Sequence, residues 1–184
     1  VIPFGVDLDI FNSHQNYTRL FSSDSMVIGT IKTLEKDYAI DVLLRAFSIL
    51  KERNLTVSLK LLIVGKGSLD MQLKELTKKL KIEEDVLFTG YIEPGEIPGY
   101  HNMIDIFLCL SHRESFGVAV VEAMSFAKPV IVSNVNGLSE IIEDDNSGLI
   151  VAADNPQEAA LAMEKLILDK ELRERLGKNA RKKV

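Results

Sequence analysis

Two glutamates separated by seven residues, Glu114 and Glu122, lie in the stretch Ser111-His112-Arg113-Glu114-Ser115-Phe116-Gly117-Val118-Ala119-Val120-Val121-Glu122-Ala123-Met124. The second sits among Val118, Ala119, Val120, Val121, Ala123, Met124 and Phe126, a run that would form a helix apolar on nearly every side. Such a helix is buried on most faces. An ionised carboxylate there is costly unless hydrogen bonds reach it. The two hydroxyls of a ribose would supply them. A Lys or Arg partner, or an orientation toward solvent, would also meet the need. Glu114 precedes the helix, where the outer part of a ligand would lie or where an acid would stabilise the helix dipole. Gly117 permits close approach to the backbone. The N–H groups of Phe116 to Ala119, at a helix N-terminus, would suit a diphosphate, and close strand–helix packing would use the same glycine.

Other motifs carry less chemistry. The sequence contains neither Gly-x-x-x-x-Gly-Lys-Ser/Thr nor Gly-x-Gly-x-x-Gly. Gly65-Lys66-Gly67 reads as a turn rather than a phosphate cradle. His101 and His112 read as loop residues rather than catalytic bases. No His, Cys and Asp residues recur at metal-ligand spacing, and Asp144-Asp145-Asn146 reads as a turn, so no metal is expected.

The elements that would position these residues alternate along the chain. Short apolar runs at 26–31, 59–64, 85–89, 104–110, 129–133 and 148–151 read as strands. Helical spacing predicts helices over 39–51, 69–80, 94–102, 116–127, 138–143, 156 onward and 171–182. The strands read as continuous apolar runs, which indicates a parallel sheet covered on both faces. The expected fold is α/β, a Rossmann-like doubly wound parallel sheet of about six strands, joined by right-handed crossovers. Ligands of such sheets lie beyond the carboxyl ends of the strands, which directs attention to loops 31–38, 65–68, 90–94, 111–117 and 133–138.

Composition narrows the function. The 184 residues suit about one domain, 26–184, preceded by an irregular linker over 1–25. The net charge of -5 disfavours a general nucleic-acid binder. The basic tract from Lys178 to Lys183 reads as a solvated helix end. No apolar run reaches the roughly 20 residues a membrane span needs. The one cysteine, Cys109, fits a reducing, cytoplasmic setting, with any contact at the inner membrane face made by a longer protein.

The motif at 114–124 supports a more specific reading. Glu114-Ser115-Phe116-Gly117 followed by Val121-Glu122-Ala123 resembles the Glu-x7-Glu motif of retaining glycosyltransferases of the GT-B fold, those of group 1, family 4. The similarity covers nearly the whole chain. Val1-Ile2-Pro3-Phe4-Gly5-Val6-Asp7 resembles the family's interdomain segment. Leu62-Ile63-Val64-Gly65-Lys66-Gly67 and Val86-Leu87-Phe88-Thr89-Gly90-Tyr91 resemble its second and third strands with their turns. Lys128-Pro129-Val130-Ile131, Gly137-Leu138-Ser139-Glu140-Ile141 and Asn146-Ser147-Gly148-Leu149-Ile150-Val151 resemble the fifth strand, the loop after it and the last strand. The resemblance implies the C-terminal, donor-binding half of a GT-B enzyme whose acceptor domain is absent from this chain. The fragment would then be inactive alone.

It also implies roles. Glu114 would act at the reaction centre by accepting hydrogen bonds from the donor sugar. Phe116, Gly117 and Val118 would present N–H groups to sugar and phosphate. Glu122 would hold the ribose diol, and Gly90 and Tyr91 would line the base pocket. The partner would be a UDP-, GDP- or ADP-linked sugar, with no further cofactor. Many family members carry an Arg and a Lys-Gly after the first strand to bind the diphosphate. Here Thr33, Tyr38 and Ala39 occupy those positions, and Asn136 replaces the first glycine of the usual Gly-Gly. Lys32, which directly follows the strand, is the first candidate for the phosphate cation and Lys36 the second. A GT-B epimerase or phosphorylase half, or a non-catalytic nucleotide-binding module, are the competing readings.

Overall fold

Alternate residues of a strand face opposite sides of a sheet, and here both sides are covered, which is why the strands carry uninterrupted apolar runs. Ile28, Leu61, Ile63, Ile106, Leu108 and Ile131 pack on one side. Val27, Leu62, Val64, Phe107, Cys109, Val130 and Val132 pack on the other. The computed structural model describes Val6, Phe11 and residues 20–184 apart from Asn54. Most of the linker expected over 1–25, including nearly all of the interdomain-like segment, lies outside the described residues.

The strands are β1 (Ser25–Ile31), β2 (Ser58–Val64), β3 (Val86–Phe88), β4 (Ile106–Cys109), β5 (Val130–Ser133) and β6 (Leu149–Val151). They form one sheet in the order β3-β2-β1-β4-β5-β6, and every neighbouring pair is parallel. The six-stranded, Rossmann-like expectation is met. Among the described residues six α-helices connect and cover the strands: α1 (Ile40–Glu52), α2 (Asp70–Lys79), α3 (Ile97–Met103), α4 (Val118–Ser125), α5 (Pro156–Leu168) and α6 (Lys170–Lys183). The first core lies against α1, α2 and α5, and the second against α3 and α4. Among the described residues no helix is long and apolar enough to cross a membrane.

Helix starts follow local chemistry. Pro156 opens α5, where a missing N–H costs nothing, and the Asn155 side chain accepts from the Glu158 N–H at 3.1 Å. The Asp169 side chain caps α6 by accepting from the Leu172 N–H at 2.9 Å.

Two expectations need correction. Residues 138–143 form turns, not a helix. Their apolar spacing is real, since Leu138 and Ile142 are buried. However, Gly137 has φ +85°, and a Cβ there would stand 2.5 Å from the Glu114 carbonyl oxygen. The chain turns to pack against the Glu114 loop, through three-residue bonds such as Leu138 N–H to Val135 O at 3.2 Å. The helix expected over 116–127 is also shorter. It begins at Val118, because Gly117 is left-handed, and ends at Ser125.

Candidate functional site

The strand order reverses between β1 and β4, and a doubly wound sheet opens a crevice at such a point, beyond the carboxyl ends of its strands. The two loops flanking the reversal supply Lys32, directly after β1, and Glu114, between β4 and α4. Their side chains form an ion pair. Only 12% of the lysine side chain and 9% of the glutamate side chain are exposed, so water screens the pair poorly. Removing one member of a buried pair strands the other charge, at a cost of about 3–5 kcal/mol. The Lys32 ammonium also lies 4.5 Å from the centre of the Tyr38 ring, a cation–π contact. Tyr38 stands at one of the positions where the resemblance leads one to expect a cation, and the Lys32 charge rests on its ring.

Several contacts fix the Glu114 loop. The Asp37 carbonyl accepts from the His112 N–H at 2.8 Å, tying the β1 loop to the β4 loop. The Ser133 hydroxyl donates to the Ser111 carbonyl at 2.6 Å. Gly137 lets the backbone after β5 lie directly on Glu114 and Ser115. Beneath the loop, Cys109 Sγ is 3.4 Å from the Ser111 hydroxyl and 3.9 Å from Glu114. Burial pushes this thiol's pKa up, so it stays protonated and packs as a small apolar group.

Gly117 caps α4 with φ +85° and ψ +48°, a conformation that favours glycine. The first bond of the helix runs from the Val120 N–H to the Gly117 carbonyl at 2.9 Å. The N–H groups of Val118 and Ala119 precede it and have no acceptor within the helix. The Val118 side chain is exposed and Phe116 is half-buried just before it. This end of α4 therefore presents backbone donors beside the Lys32–Glu114 pair.

A cleft of about 640 Å³ runs over the ends of β1, β2 and β3. Its walls include Lys32, Thr33, Lys66, Tyr91, Ile92 and Ile97, with Gly65 and Gly67 between them. Gly90, at φ +73°, accepts from the Gly65 N–H at 3.0 Å and turns Tyr91 into the cleft wall. Tyr91 is 55% exposed, with the Lys66 ammonium 4.9 Å from its ring centre. Lys32 thus shares the cleft with Tyr91 on one side and contacts Glu114 on the other. Lys36 does not join them there. It lies in the short 3₁₀ helix Lys36–Tyr38 and lines a second cavity of about 430 Å³ with Asp41, Gln72, Lys79 and His112. Gly65 and Gly67 do act as packing turns. A Cβ on Gly65 would meet the Lys32 carbonyl oxygen at 2.0 Å, and one on Gly67 would meet that of Leu34 at 2.4 Å.

Among the described residues Glu122 has no lysine or arginine partner, and it is not directed fully to solvent. Its side chain is 17% exposed, and its Oε2 lies 3.0 Å from Nε2 of His101. This partner was not evident from the sequence, where His101 reads as a loop residue although it falls within the helix expected over 94–102. His101 is instead on α3, completely buried, and packed against Phe107, Phe126 and Phe11. Its one sequence signal was helical spacing. It stands four residues after Ile97, on the same face of the helix, and Ile97 lines the cleft.

Burial is the main cause holding the His101 pKa below the ordinary 6.5. The nearby Lys128 charge acts in the same direction, and Glu122 opposes both. Just below pH 6.5 the unfolded chain therefore takes up a proton that the folded chain refuses. The stability this contributes is complete above pH 6.5 and is lost as the pH falls through the folded-state value, by at most about 1.4 kcal/mol per pH unit. Denaturant unfolding at pH 7.5 and 5.5 checks this. His101→Phe should lose less stability between the two than the natural sequence does, and equal losses would contradict it.

Among the described residues no three His, Cys, Asp or Glu side chains gather as a metal ion would need.

Residues 17–183 match the family described as Glycosyl transferases group 1. The chain is 33% identical over 182 residues to the capsular polysaccharide biosynthesis glycosyltransferase CapM of Staphylococcus aureus, covering 96% of this chain and 46% of that protein. It is 31% identical over 161 residues to an uncharacterized glycosyltransferase of Methanocaldococcus jannaschii, covering 88% of this chain and 40% of that protein. It spans somewhat under half the length of these relatives. Among solved structures, the C-terminal domain of the group 1 family protein LpcC from Francisella tularensis superimposes with a TM-score of 0.85 at 24% identity, covering 98% of this chain and 96% of that one. Anabaena HepE, solved in complex with UDP-glucose, superimposes with a TM-score of 0.83 at 22% identity, covering 97% of this chain and 50% of that one. With its six-stranded parallel sheet and a match along almost its entire length, this chain belongs to the group 1 glycosyl transferases and has the fold of a GT-B C-terminal domain.

Proposed function

We propose that this chain is the donor-binding half of a retaining glycosyltransferase, which moves a sugar from a nucleotide diphosphate sugar to an acceptor held by an N-terminal domain. The observation that carries this reading is the pairing of Glu114 with Lys32 across the strand-order reversal. It places a carboxylate able to accept sugar hydroxyls beside a cation able to meet a phosphate, next to the α4 N-terminus. Anabaena HepE, which shares this fold, is described with UDP-glucose bound.

In this reading the base lies in the cleft beside Gly90 and Tyr91, and Glu122 receives the ribose hydroxyls. The diphosphate faces Lys32 and the N–H groups of Gly117 and Val118. Developing charge on the leaving diphosphate is stabilised by these fixed donors and the ammonium, which is electrostatic catalysis. Both nearby carboxylates already have partners, Glu114 with Lys32 and Glu122 with His101, so a metal-free diphosphate site is the economical arrangement. In this reading Lys36, which lines the second cavity, is not assigned to the phosphate. Without an acceptor domain the two-domain cleft cannot close, and the chain alone binds nucleotide without turnover.

Isothermal titration of the chain with UDP, GDP and ADP tests the reading. Binding of one of them in the micromolar to millimolar range is expected, and silence with all three would overturn it. Lys32→Met should reduce the preference for the diphosphate over the matching nucleoside by roughly tenfold. An unchanged ratio would remove Lys32 from the phosphate site whatever the variant's stability.

A further inference from the structure

The His101 ring is stacked on Phe126, with centroids 5.9 Å apart and planes 15° from parallel. Phe107 lies 5.4 Å away and Phe11 meets the ring edge-on at 6.2 Å. A phenyl ring would fill this nest without the cost of taking an imidazole out of water. What the imidazole adds is one hydrogen bond, Nε2 to Glu122 Oε2 at 3.0 Å. Its other nitrogen, Nδ1, is buried with no hydrogen-bond partner among the described residues.

That asymmetry assigns the tautomer. A carboxylate can only accept, so the Nε2 that faces it must carry the proton. In the neutral ring Nδ1 is then a bare acceptor, which spares the protein a stranded buried N–H. His101 therefore donates to Oε2 of Glu122 and has no second task within the described residues. A glutamate has three rotatable side-chain bonds, and ordering them on ligand binding costs entropy. A donor fixed among phenyl rings sets the carboxylate in advance and leaves Oε1 to the ligand, which is preorganisation.

We propose that His101 is a positioning residue, holding the Glu122 carboxylate in the orientation that receives the vicinal diol of a nucleotide's ribose. The proposal rests on the reading of Glu122 as the diol-binding group. It assigns to α3 a part in selecting ribose. Ile97 at the start of that helix walls the cleft, and one turn later His101 sets the carboxylate.

The test compares two ligands, the nucleoside diphosphate among UDP, GDP and ADP that binds the chain best and its 2′,3′-dideoxy analogue. The natural chain should prefer the diol by at least about tenfold. His101→Phe keeps the aromatic packing and removes the donor. Its preference should fall toward one while its affinity for the dideoxy analogue stays the same. His101→Gln, whose amide can donate to the same oxygen, should restore most of the preference. A loss of packing alone would weaken both ligands together and leave their ratio intact. A natural chain that prefers the diol, with His101→Phe preferring it equally, overturns the positioning role and leaves Glu122 in place. A natural chain with no preference overturns the reading of Glu122 itself, and the proposal falls with it. Should His101→Phe fail to fold, His101→Asn, whose amide is too short to reach Glu122, is compared with His101→Gln. A larger preference in the glutamine variant supports the proposal and equal ratios overturn it.

Discussion

Glu122→Ala is expected to weaken nucleotide binding by roughly 30- to 100-fold and to lower the Tm by several degrees. The two effects have separate causes. A carboxylate accepting two hydroxyls of a diol makes charge-assisted hydrogen bonds, and losing them costs about 2–3 kcal/mol of binding. The stability loss arises on the other side of the same carboxylate. Without Oε2 the Nε2–H of His101, completely buried, has nothing to donate to, and a stranded buried donor costs about 1–3 kcal/mol. Glu122→Gln separates the effects. Its amide oxygen can still accept from His101, so Tm should stay within a degree or two of the natural chain, while affinity should fall by about tenfold with the negative charge gone. Calorimetry and thermal unfolding on both variants check this. Unchanged affinity in both would place the nucleotide away from Glu122.

Gly65→Ala is expected to be the most damaging single-methyl addition in the cleft, at about 3–5 kcal/mol of stability. Gly65 has φ +131°, which side-chain-bearing residues rarely adopt. A Cβ there would lie 2.0 Å from the carbonyl oxygen of Lys32 and 2.9 Å from its carbonyl carbon. Backbone, unlike a flexible side-chain tip, cannot give way cheaply. The bond from Lys32 N–H to Val64 O at 2.9 Å would break or lengthen, and the root of Lys32 would leave its place opposite Glu114. Nucleotide affinity should therefore fall along with stability. Two glycines provide the controls. Gly90 has φ +73°, and a Cβ there would have nothing within 4 Å, so Gly90→Ala should cost only about 1 kcal/mol of backbone strain. Gly95 has open space and no positive φ, so Gly95→Ala should be nearly neutral. Denaturation midpoints that are equal for Gly65→Ala and Gly90→Ala would mean that the close approach of the loops carries no weight.

Much of the fold was legible because its signals are local and repeated. The apolar runs at β2, β4 and β5 needed no tertiary knowledge, since a strand buried on both faces has no polar side to confuse it. Pro156 marked the start of α5 for a purely local reason. Residues 138–143 were misread because apolar spacing reports which residues face inward and not the backbone that puts them there. Leu138 and Ile142 are buried as the spacing requires, but a glycine pressed on a distant carbonyl shapes the chain into turns. Ala39 shows the same limit from the other side. It occupies a left-handed conformation, φ +49°, where the resemblance places a glycine, and nothing in its own side chain announces that.

The sequence by itself determined the order of strands, the alternation that yields a parallel sheet and the two carboxylates with seven residues between them, one of those a glycine. These follow from periodicity and residue type, which act over a few positions. Only the tertiary structure decided the partners of those carboxylates. Lys32 meets Glu114 because β1 and β4 are neighbours at the reversal of strand order, although 82 positions separate the two residues. His101 meets Glu122 because α3 and α4 cover the same side of the sheet. Hydrogen bonds and ion pairs act over a few ångströms, and the chain specifies such distances only once the sheet has assembled.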